Sequence, residues 1–489
     1  MKKHRSSSHK QKTSIQKEDI IQEVRNGRIN KIALYPELFR TFLEDHGFRS
    51  CIVNGKVTLV KQKNNIIEPC TLSRIKQFIT SFIQNNCPQE EQNRLIYKLV
   101  TTNKLISPRT VESLEEIKIQ DHKDTSEATY FYFKNGIVKV TSKKISILPY
   151  SILKDKVIWQ SQIIPHEISD VGRIENTDVI DFLQYISGQD DERLLSLLST
   201  IGYLLSRYKN PVESQAVVLM DESQNPDYHT NGRTGKSLIF EMISKLRKVT
   251  VLSGRAFDAD RFPFEQVETT TDIILFDDAK KNFDFTDLYQ ILTGSLVIEK
   301  KFKSKFEIPF EKSPKVGITT NYTIIGGGGE SEKARKHIVE LAPYFNSQRK
   351  PDQVFGYTFF CAIDCDTKWW NSFYNTMFFC SQMYLSEGLV KYKLKNAEKK
   401  ELINRTSLEF VEFMEQENLK TSVDYDLQEL LTSFRKITDN KTIEAKQFNP
   451  WVRTYIAAKE LKTKGEEQKS PRAPLHMSSG KLKLRILPK

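Results

Sequence analysis

The sequence predicts an α/β protein built round a parallel sheet, and three features carry that expectation. Apolar runs at 215–222 (QAVVLMDE), 271–278 (TDIILFDD) and 315–322 (KVGITTNY) read as buried strands, because a strand covered on both faces has no reason to alternate. The first run leads through a loop into a Gly-Lys-Ser triplet and then into the helical pattern LIFEMISKL at 238–246. The second and third runs end in carboxylates and in an amide, at the strand ends where open α/β sheets keep their ligands.

The 489 residues provide for three or four domains at roughly 100–200 residues each. With 38% hydrophobic and 28% charged residues, a wholly disordered chain is excluded. Lys and Arg number 74 against 62 Asp and Glu, a formal balance of +12 that favours a polyanionic partner. No run approaches the roughly 18 apolar residues of a membrane span, and the start MKKHRSSSHKQK lacks the apolar stretch of a secretory signal. A cytoplasmic location, without membrane partner or secretion, is the expectation. Cys361 and Cys365 form a C-x3-C pair with no second Cys/His pair at zinc spacing, so the six cysteines read as buried thiols.

Residues 1–15 form a basic arm without an acidic residue, expected to be disordered. Over 16–127, β-branched runs such as SCIVNGKVTLVKQ alternate with helical CTLSRIKQFITSFIQ, which predicts an α/β domain with a hairpin at Asn54-Gly55. The region 128–212 carries a second hairpin signal at Asn135-Gly136 and the helical LLSLLSTIGYLLSRY. A core unit spans 213–345. A helical, aromatic extension and linker at 346–400 leads to 401–489, where three amphipathic helices near 405–418, 425–436 and 444–461 precede a strand at 482–487. Three helices followed by a β element outline a winged helix.

The chemistry concentrates in the core unit. Strand, loop with Gly-Lys-Ser, and helix is the context of a phosphate-binding loop, whose backbone N–H groups and helix N-terminus form an anion site. Gly232, Arg233, Thr234, Gly235, Lys236 and Ser237 make up that loop, with Lys236 suited to the β- and γ-phosphates of ATP and the Ser237 hydroxyl to Mg²⁺. The full pattern asks for glycine at 230, where this chain has Thr230. Asp277, 41 residues after the lysine, is suited to Mg²⁺, and Asp278 to polarising the attacking water. Asn321, 44 residues further on, ends the third strand with an amide that can bond both phosphate and water.

Between them, SLVIEKKFKSKFEIPF at 295–310 reads as a hairpin. Lys301, Lys303 and Lys305 fall at i, i+2 and i+4 and share one face if the segment is extended; with Lys300 they form a comb for nucleic-acid phosphates. Arg335 opens the last segment of the unit, where a guanidinium can serve as an arginine finger toward a neighbouring subunit, with Lys336 beside it as the other candidate cation.

In this order and spacing the motifs resemble the superfamily 3 helicases, AAA+-type ATPases, and most of all the helicase half of phage and large-DNA-virus primase-helicases. The resemblance covers 213–345 closely and 128–210 and 346–489 more loosely. It implies an AAA+-like P-loop core, a homo-hexamer with ATP between subunits, and the lysine hairpin in a central channel. The roles are Asp278 for water, Asn321 as sensor, Arg335 as finger, and Ser237 with Asp277 at Mg²⁺. The implied function is an ATP-dependent DNA helicase, translocating on single-stranded or forked DNA beside replication proteins of a virus, phage or mobile element. Asp278 stands where Glu is commoner in the family. The alternative is a non-unwinding DNA-binding protein that uses ATP as a switch for origin recognition. Residues 1–127 offer no paired carboxylates of the kind a primase needs for two metals.

Overall fold

The computed structural model describes residues 36–53, 55–97, 106–172, 177–222, 234–257, 262–280, 283–301, 305–322, 324, 330–361, 365–394, 399, 402–403, 405–438, 442–469 and 472–488; the basic arm expected at 1–15 lies outside them. The chain divides into two units. One comprises Met1–Lys123, Tyr132–Ile137 and Leu148–Glu167; the other Asp124–Phe131, Val138–Ile147 and Ile168–Lys489.

In the first unit, helix α1 (Pro36–Asp45) precedes the antiparallel pair β1 (Phe48–Val53) and β2 (Lys56–Lys63). Gly55 between them has φ +72, the left-handed backbone a tight hairpin requires. Strand β3 (Ile66–Pro69) continues the sheet. Helix α2 (Leu72–Asn86) starts where the Thr71 hydroxyl accepts from the Arg74 N–H. It buries Ile75, Ile79 and Ile83, a stripe at four-residue spacing, in a core with Phe39, Leu43, Phe48 and Leu59.

Five strands follow in sequence: β4 (Ala128–Phe133), β5 (Gly136–Thr141), β6 (Ile145–Leu148), β7 (Ile158–Trp159) and β8 (Ile163–Ile164). The Asn135-Gly136 signal falls at the passage from β4 to β5, and β7 runs parallel to β3.

The second unit is built on a five-stranded, all-parallel sheet. Its strands are β9 (Ala216–Asp221), β10 (Val249–Ser253), β11 (Ile273–Ala279), β14 (Lys315–Thr320) and β15 (Lys336–Leu341), in the order β10-β11-β14-β9-β15. The three central strands are the three apolar runs of the sequence, and β9 and β14 are buried at every residue. Between β11 and β14 lies the short antiparallel pair β12 (Leu296–Ile298) and β13 (Phe306–Ile308). Helices α3 (Asp178–Ile186) and α4 (Asp191–Leu205) precede β9, capped by Thr177 and Asp190. Helix α5 (Lys236–Ser244) follows it. A Cβ at Gly317 of β14 would meet the Phe240 ring of α5 at 2.4 Å, so glycine there lets the helix lie close on the sheet.

The amino ends of these strands hold a buried ionic cluster. Asp124 accepts from Arg247 Nη2 (3.3 Å) and from the Arg207 and Tyr130 N–H groups. Lys315 Nζ donates to the Tyr203 carbonyl (2.6 Å) and lies 3.9 Å from the Tyr203 ring centroid. Lys209 Nζ donates to Ser313 Oγ (2.6 Å) and to the Ile291 carbonyl. Burial holds the Lys315 ammonium well below the usual lysine range and brings Lys209 down to about 8. His337, in β15, meets Thr200 Oγ1 at 2.8 Å, and burial lowers its pKa to about 4.

Helix α6 (Glu330–Arg335) leads into β15, and α7 (Thr367–Glu387) packs on α4, where Gly202 has no room for a Cβ beside the Cys380 carbonyl. Toward the C-terminus, α8 (Leu408–Glu417), α9 (Leu427–Thr438) and α10 (Ala445–Ala458) share a core round Phe410, Phe434 and Phe448. A small antiparallel sheet, β16 (Asp424–Asp426), β18 (Lys481–Arg485) and β17 (His476–Ser478), contributes Leu484 to it. The sequence expectation of three helices and a terminal strand falls on these elements within a few residues at each end. Among the described residues, no helix is long and apolar enough to cross a membrane.

Candidate functional site

The carboxyl edge of the sheet carries Gly235, Lys236, Ser237, Asp277, Asp278 and Asn321. Helix α5 begins at Lys236 behind Gly235, whose φ of +109 suits glycine. A Cβ at Gly235 would also meet the Phe182 ring of α3 at 2.8 Å, so two constraints coincide on this residue. The first turn of α5, whose N–H groups have no partner within the helix, thus begins at the sheet edge, with Ser237 exposed on it. Gly232 and Arg233 lie outside the described residues.

Lys236 is folded back onto the sheet rather than extended into solvent. Its Nζ donates to Asp221 Oδ1 at 2.5 Å and to Asn321 Oδ1 at 2.8 Å. Thr234 Oγ1 donates to the same Asp221 oxygen at 2.5 Å. The Lys236 and Asp221 side chains are 11% and 9% exposed, which makes this a largely dehydrated ion pair. Asp221 ends β9 and Asn321 follows the adjacent β14, so the strand register itself delivers the two acceptors.

Asp277 and Asp278 sit one strand further along, on β11. A register shift between Phe276 and Ala279 marks a bulge there, and Asp278 has φ +54. Thr319 of β14 stitches the bulge: its Oγ1 donates to Asp277 Oδ1 (2.6 Å) and accepts from the Asp278 N–H (2.8 Å). Arg255 Nη2 lies 2.7 Å from Asp278 Oδ2, an exposed pair. Gly254, beside it, has no room for a Cβ against the Ala279 backbone. The bulge thus breaks the face-to-face alternation of a regular strand at two consecutive carboxylates.

Two groups lie away from this edge. Lys300, Lys301 and Lys305 fall in the connection between β12 and β13, beyond the last paired residues Ile298 and Phe306; Lys303 is outside the described residues. Lys305 pairs there with Glu299 at 2.8 Å. Arg335 ends α6 at the amino end of β15, with its guanidinium 4.9 Å from the Tyr289 ring. Six residues of β15, roughly 20 Å of strand, separate that end from the carboxyl edge, so Arg335 does not join Lys236 within one chain.

Sequence reasoning passed over Asp221, Thr319 and Arg255. Asp221 carried the same signal as Asp277, a carboxylate closing an apolar run, but the phosphate-loop reading drew attention past it. Thr319 and Arg255 carry no local signal, because their roles arise from neighbouring strands.

Chemically, the edge offers an ammonium, helix N–H groups, an exposed hydroxyl and a carboxylate, a set suited to a phosphorylated anion with a divalent cation. Mg²⁺ keeps several waters and takes one or two protein oxygens beside substrate phosphates. Ser237, exposed, and Asp277, half-buried, fit that demand.

The fold and site define a mixed α/β protein with a polar constellation at one edge of a parallel sheet. No protein-family profile matches the chain, and no curated protein matches it. Among solved structures, the chain is similar to the A form apo structure of the NrS-1 C-terminal region, with 13% identity and a TM-score of 0.42 over 93% of this chain and 100% of that one. A further apo structure of the same region gives 12% and 0.41, covering 93% and 99%. At that identity and score the likeness says nothing of function.

Proposed function

We propose that the chain is an ATP-dependent DNA helicase with an AAA+-like P-loop core over 213–345, working as a ring of six in the replication of a virus, phage or mobile element. The observation that carries this reading is the convergence at one sheet edge of Lys236 with Asn321, and of Asp277 with Asp278 on the next strand. Lys236 and the first N–H groups of α5 would hold the β- and γ-phosphates. Ser237 and Asp277 would hold Mg²⁺, which supplies charge neutralisation at the phosphates. Asp278 would orient the attacking water by accepting its hydrogen bond, with Asn321 reading the γ-phosphate beside it.

Arg335, remote from its own chain's edge, suits a finger acting on a neighbouring subunit. The tip of the β12–β13 hairpin suits contact with phosphates of single-stranded DNA, and the C-terminal helices and small sheet suit a winged-helix-like accessory module. Hydrolysis would then shift the hairpin along the strand.

The test is ATP turnover with and without single-stranded DNA, followed by displacement of a strand from forked DNA. Wild type is expected to hydrolyse ATP faster with DNA, and Lys236→Ala to lose at least about 100-fold in turnover. An unchanged rate in Lys236→Ala would sink the site. ATP turnover without strand displacement would favour the non-unwinding, ATP-switched alternative.

A further inference from the structure

The phosphate-loop lysine already has an anion. Asp221 Oδ1 sits 2.5 Å from Lys236 Nζ in a pair that water scarcely reaches, and the same oxygen receives the Thr234 hydroxyl. A phosphate entering at the first turn of α5 must compete for that ammonium against a fixed carboxylate. The three hydrogen-bonded side chains come from the end of β9, from the residue before Gly235 and from the first residue of α5. They tie the start of the helix to the end of the strand.

Resting on the nucleotide-site reading above, we propose that Asp221 is a positioning residue that latches Lys236 and Thr234 in the absence of nucleotide, and that phosphate binding works against this latch. The charge logic follows from the burial. Without Asp221, Lys236 would sit as a nearly dehydrated cation facing two neutral acceptors, the Asn321 amide at 2.8 Å and the Thr234 hydroxyl at 3.4 Å. With Asp221, the Lys236 charge is already matched by a carboxylate, and part of its attraction for an incoming phosphate is spent. The Thr234 hydroxyl supplies what remains: when Lys236 turns to phosphate, the Asp221 carboxylate keeps one charge-assisted hydrogen bond instead of being stranded.

Asp221 therefore lowers nucleotide affinity while raising the stability of the nucleotide-free protein. A merely structural carboxylate would raise both. Asp221→Asn separates these cases, since the amide oxygen still accepts from Thr234 and Lys236 but brings no charge.

The experiment measures magnesium-ATP and magnesium-ADP binding to the full chain by titration calorimetry, with the melting temperature taken without nucleotide. The latch predicts roughly tenfold tighter binding in Asp221→Asn together with a lower melting temperature. Asp221→Ser, which puts a small neutral hydroxyl in place of the carboxylate, should move both quantities in the same directions, and serves if the asparagine variant does not fold. If wild type binds and Lys236→Ala does not, yet neither Asp221 variant binds tighter than wild type, the latch is overturned and the nucleotide site stands. If wild type does not bind nucleotide, or Lys236→Ala binds equally well, the site reading falls and takes the latch with it.

Discussion

The two edges of the five-stranded sheet carry similar residue types in opposite kinds of wiring. At the amino edge, Lys315, Lys209 and Arg247 each donate to a backbone carbonyl (Tyr203, Ile291 and Leu205) and lie against an aromatic ring (Tyr203, Phe310 and Phe131), with Asp124 and Ser313 Oγ as added side-chain partners of Arg247 and Lys209. At the carboxyl edge, Lys236 and Arg255 meet side-chain carboxylates, with Asn321 beside Lys236. A backbone carbonyl cannot leave without unfolding its element, whereas a side-chain acceptor can be exchanged for a phosphate oxygen. The amino-edge cations are anchored by carbonyls of the main chain, whatever side chains they also meet, while Lys236 and Arg255 are held through side chains.

The largest expected effect probes the scaffold edge. Arg247→Ala leaves Asp124, with no exposed side-chain surface, without its guanidinium, and should cost about 3–5 kcal/mol of stability in urea unfolding. Nucleotide affinity of the surviving folded fraction should stay at the wild-type level. A variant that kept its stability and lost nucleotide binding would reverse the assignment of the two edges.

His337 sharpens the same point through pH. Its folded pKa of about 4 lies below the unfolded value near 6.5, so the unfolded chain binds the proton first. The stabilisation from keeping it neutral is complete above pH 6.5 and is lost as pH falls toward 4, by about 3 kcal/mol in total. Urea midpoints of wild type should therefore fall more steeply with acid than those of His337→Gln. Equal slopes would show that this histidine titrates normally in the fold.

A smaller effect tests how far the edges depend on the packing between them. Gly317→Ala forces the Phe240 ring away from β14 and should lower stability by about 1–3 kcal/mol. Because α5 begins at Lys236, nucleotide binding should weaken with it. Unchanged binding in that variant would mean that the carboxyl edge tolerates a displaced helix.

The sheet was legible because apolar runs such as AVVLM and IILF leave little else for a chain to do, and because Gly235-Lys236-Ser237 marks the passage from loop to helix. The amino-edge cluster carries no local signal: what holds Lys209, Arg247 and Lys315 inside is the carbonyls and rings that tertiary packing supplies. The lysines near residue 300 show the converse limit. Their spacing places them on one face only if the segment is extended, and the paired residues of β12 and β13 end at Ile298 and begin at Phe306, with 302–304 outside the described residues. Asp221 was visible as a strand-end acid, yet its engagement with Lys236 depends on how α5 turns back over the sheet.

The bulge on β11 gives a reason for the aspartate at 278 where the resembling family more often has glutamate. At φ +54 the backbone there is left-handed, a conformation open mainly to glycine and to the short polar side chains of Asn and Asp. Lengthening the side chain by one methylene would set reach against backbone: the longer acid would be drawn toward an ordinary strand angle and would loosen the two hydrogen bonds to Thr319 that hold the turn. In this chain the choice of acid is made by conformational selection along the main chain before any question of chemistry arises.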